Sequence, residues 1–399
     1  MILQGLKVVE WATWVAGPSC AGVLADWGAD VVKVESAAGD ATRAFFLDTA
    51  ESPGNPVFTM ENRGKRGVVL DTSRPAGQAA LKALLKDADI FITNTRPASL
   101  KKCGLDYDSL KDAFPQLIYA NVTGFGLTGE EADKAGFDIT AFWAKSGVAR
   151  SFIPSDQEPF ASRPGFGDHV TALATLSGVL AAVVERQRTG RGRQVETALM
   201  RVGAFAIGWD LSLQLRYGDV TTAQPKKDRM VALSGFFHTG DDRWFVVVVK
   251  SPNDLPNVLT AIGREDIAAN PRFLPPYTDI HDVRYVRAAL ETAFEAMTLD
   301  EAAALLDAAD IAFGTMDTLA ELEMNPQAHE AGCFVEVADG WGGSFWSPAS
   351  PVRFPGVDTS PRGPAPKLGQ HTREVLLEAG LTGAEVDVVL GVSPAPAAQ

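Results

Sequence analysis

The hydrophobic period of the first half of the chain switches repeatedly between two and 3.6, and this alternation limits the fold more than any other feature. Residues 6–10 form a short run rich in β-branched side chains. Residues 18–27 read as a helix stopped by Gly28, and 30–34 and 67–70 are strand-like. Residues 76–85 set Leu81, Leu84 and Leu85 on one side of a helix, and strand patterns return at 89–93 and 117–122. Short apolar strands separated by helices of about ten residues predict βαβ units and a mostly parallel sheet. The expected class is α/β.

Further on, residues 168–187 predict a long apolar helix, broken at Thr189-Gly190-Arg191-Gly192. Residues 194–199 are a strand candidate, 201–215 resume helical character, and the polar stretch 221–228 reads as a linker. Beyond it, 243–249 is a strand, and 254–330 looks helical with fifteen Asp and Glu against four Arg. Most of the net charge of −14 therefore belongs to one lobe, as a solvated helical surface. Prolines 351, 355, 361, 364 and 366 forbid regular helix in the tail. A short helix is expected at 371–379 and disorder at 392–399. So long an irregular tail wraps over another surface, either the first lobe or a partner subunit. The expected domains are a large lobe at 1–220, a small acidic lobe at 226–330 and a third segment at 331–399.

Composition narrows the function. With 46% hydrophobic and 22% charged residues the chain can bury a core. Its acidity disfavours nucleic acid and anionic membranes as partners. Cys20, Cys103 and Cys333 build neither a disulfide framework nor a zinc spacing, which fits a reducing compartment and no metal. No signal-peptide pattern opens the chain, and the apolar run 170–184 is shorter than the ~20 residues of a membrane span. A cytoplasmic protein is expected.

The first strand–helix turn, Glu10-Trp11-Ala12-Thr13-Trp14-Val15-Ala16-Gly17-Pro18, lacks the Gly-x-Gly-x-x-Gly of dinucleotide-binding folds. This disfavours an NAD-dependent oxidoreductase. Asn94-Thr95-Arg96-Pro97-Ala98-Ser99-Leu100-Lys101-Lys102 follows the fourth strand, where open α/β sheets bind ligands. Its three cations can hold phosphates or be a solvated loop. Gly124, Gly126 and Gly129 let backbone approach a ligand, or form a plain turn. In Pro164-Gly165-Phe166-Gly167-Asp168-His169, Asp168 stands at a helix start, whose amino end keeps a carboxylate ionised. It is either an N-cap or a nucleophile. His169 points roughly 100° away around the helix and reads as packing or polar support.

Read together, several stretches resemble the family III CoA-transferases, with their formyl-CoA and carnitine members, and the related α-methylacyl-CoA racemases. They are Leu6-Lys7-Val8-Val9-Glu10, Ala16-Gly17-Pro18, Ala29-Asp30-Val31-Val32-Lys33-Val34-Glu35, Gly39-Asp40-Ala41-Thr42-Arg43, Asn62-Arg63-Gly64-Lys65-Arg66, Thr123-Gly124-Phe125-Gly126 and Pro366-Lys367-Leu368-Gly369-Gln370-His371-Thr372. The resemblance implies a Rossmann-like large lobe, a smaller lobe, a return of the chain to the large lobe, and two chains interlocked as a homodimer. It implies that Asp168 is the nucleophile and forms an aspartyl-CoA thioester while CoA passes from an acyl-CoA donor to a carboxylic acid. Coenzyme A is then substrate, with no prosthetic group and no metal. By position, Val15, Ala16, Asn94, Thr95 and Lys102 match family CoA contacts; Arg96 and Lys101 lie nearby, and Lys134 lies near another basic position.

The chain also departs from the family pattern. Ser36 and Ser73 stand where formyl-CoA transferases carry Arg and Lys, which rearranges phosphate binding. Phe137 stands where the racemases carry a His, so racemase chemistry is the lesser alternative. Ser234-Gly235-Phe236-Phe237-His238 replaces a glycine-only loop and suits an acceptor larger and less polar than formate, such as a 2-hydroxy or aryl-substituted acid. From another class, a catalytically silent CoA-binding protein remains an alternative.

Overall fold

A computed structural model describes residues 1–44, 54–218, 225 and 231–392. The linker expectation at 221–228 and the disorder expected at 392–399 lie almost entirely outside the described residues.

The alternating pattern of the first half becomes one six-stranded, fully parallel sheet. Its strands are β1 (Lys7–Trp11), β2 (Asp30–Glu35), β3 (Arg66–Val69), β4 (Ile90–Thr93), β5 (Ile118–Thr123) and β6 (Gln194–Ala198), in the spatial order β3-β2-β1-β4-β5-β6. Successive strand residues serve opposite faces. Val9, Phe91 and Tyr119 enter one core with Leu81, Leu84 and Leu85 of helix Pro75–Lys86. Val8, Ile90, Ile92 and Ile118 enter the other, with Cys20 and Leu24 of helix Ala16–Asp26 and Leu176 and Val179 of helix Phe166–Thr189. Burial on both faces explains why the strands read as unbroken apolar runs.

Helix Phe166–Thr189 is longer than the apolar run suggested. By length and composition alone it could cross a membrane. Its Ala172, Leu176 and Val179 instead fill the core beside helix Ala16–Asp26.

The chain divides into two compact units, each described separately: 1–153, 158–220 and 329–399 form the first, 154–157 and 221–328 the second. In the first, the tail closes the edge of β3. The Gly67 and Val69 N–H groups donate to His371 Nδ1 and Thr372 Oγ1, each at 3.0 Å, and His371 N–H donates to the Gly67 carbonyl at 2.9 Å. Val375, Leu376 and Val386 of the last two helices, Thr372–Glu378 and Gly383–Leu390, join the core. An exposed strand edge is thereby removed.

The second unit packs the antiparallel strands β7 (Gly235–His238), β8 (Trp244–Val248) and β9 (Ala312–Thr315) around Phe237, Phe245 and Phe294. β9 corrects the all-helical expectation for 254–330. Its four residues are too few for a period to emerge, and pairing with β8 makes them a strand. The single helix expected at 201–215 is two, Leu199–Ala206 and Gly208–Tyr217. A hairpin of β10 (Phe334–Ala338) and β11 (Ser344–Pro348) belongs to the first unit.

Candidate active site

Strand order reverses between β1 and β4, so the loops after these strands diverge to opposite sides and leave a crevice at their carboxyl ends. Asn94 ties the two loops together: its Oδ1 accepts from Thr13 N–H at 3.1 Å and its amide donates to the Thr13 carbonyl at 2.6 Å.

Beneath the β1 loop lies a fully buried charge network. Glu10 accepts from Lys33 Nζ at 2.8 Å and from Lys65 Nζ at 2.6 Å. Lys33 also donates to Asp40 at 3.0 Å and to the Ala12 carbonyl at 3.1 Å, and Lys65 to the Pro18 carbonyl at 2.8 Å. Asp40 in turn accepts from Trp14 N–H at 3.2 Å. This bond helps hold Trp14 at φ 67°, a left-handed conformation rare for a bulky side chain. The motif residues Glu10, Lys33, Asp40 and Lys65 thus shape the turn from below. Burial disfavours the Lys33 cation, yet Glu10 and Asp40 outweigh it and hold its titration above the usual range.

Above the turn opens a cavity of about 420 Å³, within the range of small-molecule sites. Ala16, Asn94, Thr95, Arg96, Lys134 and Asp168 all line it, as do Trp14 and Phe137. The two aromatic rings meet edge to face at 5.9 Å. Phe137 is 52% exposed, and its side chain has no proton to exchange. Val15, Lys101 and Lys102 do not line the cavity. Val15 is buried against Gly165, and the two lysines sit exposed in the last turn of helix Pro97–Lys102, which carries them away from the strand end. Lys134 is paired with Glu131 at 2.9 Å. The first glycine of the 124–129 loop serves packing: a Cβ on Gly124 would lie 2.7 Å from the Gly136 Cα. The N–H groups of Gly126 and Leu127 are engaged by Thr123 and Glu196.

Asp168 is not the N-cap of its helix. Gly165 is, at φ 83°, and Asp168 is the third helical residue. Nor does the helix end keep it ionised. Asp138 takes the free N–H groups instead, accepting from Gly167 at 3.1 and 3.2 Å. A Cβ on Gly167 would stand 2.5 Å from the Asp138 carboxylate and 2.3 Å from Phe142, so only glycine fits there. No described residue gives the Asp168 carboxylate a hydrogen bond. Burial, and then the Asp138 charge, push its titration up to about 7, while the neighbouring His169 pulls it down. The result is a carboxylate in a cavity wall, poised to change charge near neutral pH.

His169 turns away and bonds Glu61 of helix Pro56–Asn62 at 2.8 Å, in agreement with a supporting role. Asp138, Glu61 and Trp14 escaped sequence reasoning. The first two act across 29 and 108 residues of chain, a span that local spacing does not register. Among the described residues no cluster of His, Cys, Asp and Glu is arranged to hold a metal.

The model of CoA-transferase family III matches residues 3–372. The chain is 34% identical to an (R)-2-hydroxy-4-methylpentanoate CoA-transferase of Clostridioides difficile, over 95% of this chain and 96% of that one. It is 31% identical to a cinnamoyl-CoA:phenyllactate CoA-transferase of Clostridium sporogenes, over 97% and 95%. Among solved structures, a CAIB/BAIF family protein from Brucella suis superimposes with a TM-score of 0.83 at 29% identity, covering 94% of this chain and 99% of that one.

Proposed function

The chain belongs to CoA-transferase family III, and from that premise we propose that it passes CoA from an acyl-CoA to a branched or aryl-substituted 2-hydroxy acid through a covalent thioester on Asp168. The observation that carries this reading is the Asp168 carboxylate, set in the cavity wall without a hydrogen bond from any described residue and titrating at about 7. A carboxylate Oδ attacks the thioester carbonyl, and the carbon–sulfur bond breaks to release CoA thiolate and leave a mixed anhydride. The thiolate attacks the Asp168 carbonyl and expels the donor as its carboxylate. The acceptor carboxylate then attacks the aspartyl thioester, releasing thiolate and forming a second anhydride. Attack of the thiolate on the acceptor carbonyl restores Asp168 and yields the new acyl-CoA. No proton is gained or lost, and one hard exchange becomes several easier ones.

Arg96 and Lys134 supply positive charge on the cavity wall for CoA phosphates, beside Ala16, Asn94 and Thr95. Val15, Lys101 and Lys102 bear on CoA only from outside this cavity. The Trp14–Phe137 corner suits an apolar acyl group, in keeping with the acids named in the two relatives. Phe137 at the wall disfavours racemase chemistry, which needs a second proton-exchanging group.

The working form is an interlocked homodimer. Phe205 (86% exposed), Trp209, Leu215 and Tyr217 leave helices Leu199–Ala206 and Gly208–Tyr217 with an apolar face that a second copy covers. Analytical ultracentrifugation reads the dimer, and a monomer at micromolar concentration overturns it. We place the reaction in the cytoplasm, where the three free cysteines stay reduced. The deciding test is intact mass spectrometry after incubation with cinnamoyl-CoA, 2-hydroxy-4-methylpentanoyl-CoA and further acyl-CoAs, followed by hydroxylamine. A hydroxamate on Asp168 is expected. No mark from any donor, with CoA still bound, favours the catalytically silent alternative.

A further inference from the structure

Asp168 and His169 are chain neighbours that face different cavities. Asp168 lines the cavity of about 420 Å³ at the strand ends. His169 lines a second, of about 150 Å³, together with Glu61, Asp26 and Arg63. The first turn of helix Phe166–Thr189 separates them. The His169 ring packs on Gly165 and its Nε2 lies 2.8 Å from Glu61 Oε1, a carboxylate only 2% exposed. The charges around the ring are Glu61 from helix Pro56–Asn62, Asp168 from its own helix and Asp138 from the segment Asp138–Lys145. Asp26 and Arg63 line the same cavity but pair with each other at 2.8 Å. Lys65, near Glu61, is held by Glu10. On the far side Arg96 and Lys134 line the substrate cavity.

One buried carboxylate thus holds the imidazole, and two more act on it from further away. We propose that Glu61 and His169 form a charge-positioning pair for the nucleophile: buried Glu61 holds the His169 ring as imidazolium, and that cation favours the ionised form of Asp168 against the Asp138 charge without entering the substrate cavity. The inference rests on Asp168 being the nucleophile. Burial opposes a charged ring, but Glu61 outweighs it and His169 titrates above its usual range. The cation acts through space on its neighbour, so His169 is a positioning residue and exchanges no proton with substrate.

The test uses the full chain labelled with [13Cε1]-histidine, following the His169 resonance against pH. Coupling between two titrating sites is reciprocal. Asp168→Asn is therefore expected to lower the His169 midpoint by at least about half a pH unit, a threefold change in proton affinity. Glu61→Gln is expected to lower it further. An unchanged midpoint in Asp168→Asn overturns the pair even if Glu61→Gln fails to fold. His169→Gln keeps a donor for Glu61 without the charge. Its turnover is expected to fall at low pH and recover at high pH, whereas equal loss at every pH reduces the pair to a structural pin. If the His169 midpoint moves in Asp168→Asn but no acyl-CoA marks Asp168, the electrostatic coupling stands, while the nucleophile reading and the positioning role built on it fall. If Asp168 is marked and the midpoint is unmoved, the reverse holds.

Discussion

Two regions meet at the cavity, and they treat charge in opposite ways. Under the turn after β1, every buried ion has a partner: Glu10 bridges Lys33 and Lys65, and Lys33 reaches Asp40. At the start of helix Phe166–Thr189, Asp138 and Asp168 crowd together, and the available N–H groups go to Asp138 alone. Matched charges hold a backbone in place, here the left-handed Trp14. A mismatched charge is left to titrate near neutral pH. Glu10, Lys33, Lys65 and Asp40 thus build the wall, and Asp168 is the residue proposed to work in it.

The sharpest way to break this contrast is Asp168→Asn. It is expected to cut turnover by about three orders of magnitude or more, while CoA binding, followed by calorimetry, persists. Its thermal midpoint at neutral pH is expected to hold or rise. A carboxyl held above its unfolded value, 3.8 against about 7, costs stability as pH climbs through that window, and Asn removes the cost. A large fall in the midpoint would make Asp168 a structural ion like Glu10.

Glu10→Gln is the converse case. It leaves two buried lysines short of a charge and is expected to cost about 3–5 kcal/mol in urea unfolding. A loss of activity without loss of stability would contradict the structural role. Gly167→Ala forces a Cβ into Phe142 and the Asp138 carboxylate, and about 1–3 kcal/mol of stability should go with it. An unaffected variant would mean that the helix start is looser than it stands here.

The pH profile sharpens the same contrast. In the proposed mechanism Asp168 attacks as the anion, so turnover is expected above about pH 7 and to fall about tenfold per unit below it. Removing the like charge with Asp138→Asn should move this limb to lower pH. A limb that stays put separates the two carboxylates electrostatically. The smallest effects fall on the cations. Arg96→Ala, inside the cavity, should raise KM for acyl-CoA about tenfold. Lys102→Ala, exposed and outside it, should change KM by about threefold or less. Equal effects would extend the CoA site along helix Pro97–Lys102.

Some of this was legible in the residues and some was not. The strands of the large sheet announced themselves because both their faces are buried, which leaves a continuous apolar run. β9 did not, because Ala312–Thr315 carries no period of its own and exists only by pairing with β8. Asp168 stood out through its Gly-Asp step before an apolar helix. Its charge state did not, because an isolated helix end predicts ionisation, and the burial and the Asp138 carboxylate that reverse this come from elsewhere in the chain. Lys101 and Lys102 looked equivalent to Arg96 because they are near it in sequence, yet one short helix separates them from the strand end.

The sequence by itself determined the α/β class, the family and the position of Asp168 at a helix start after Gly165 and Gly167. These follow from local properties: hydrophobic period, motif and backbone freedom. Tertiary structure alone decided which carboxylate takes the Gly167 N–H, which is left without a hydrogen bond from any described residue, and which cavity each of Asp168 and His169 faces. Those outcomes depend on distances between groups far apart in the chain and on the water excluded between them, and burial and Coulomb interaction act only once the fold has brought the groups together.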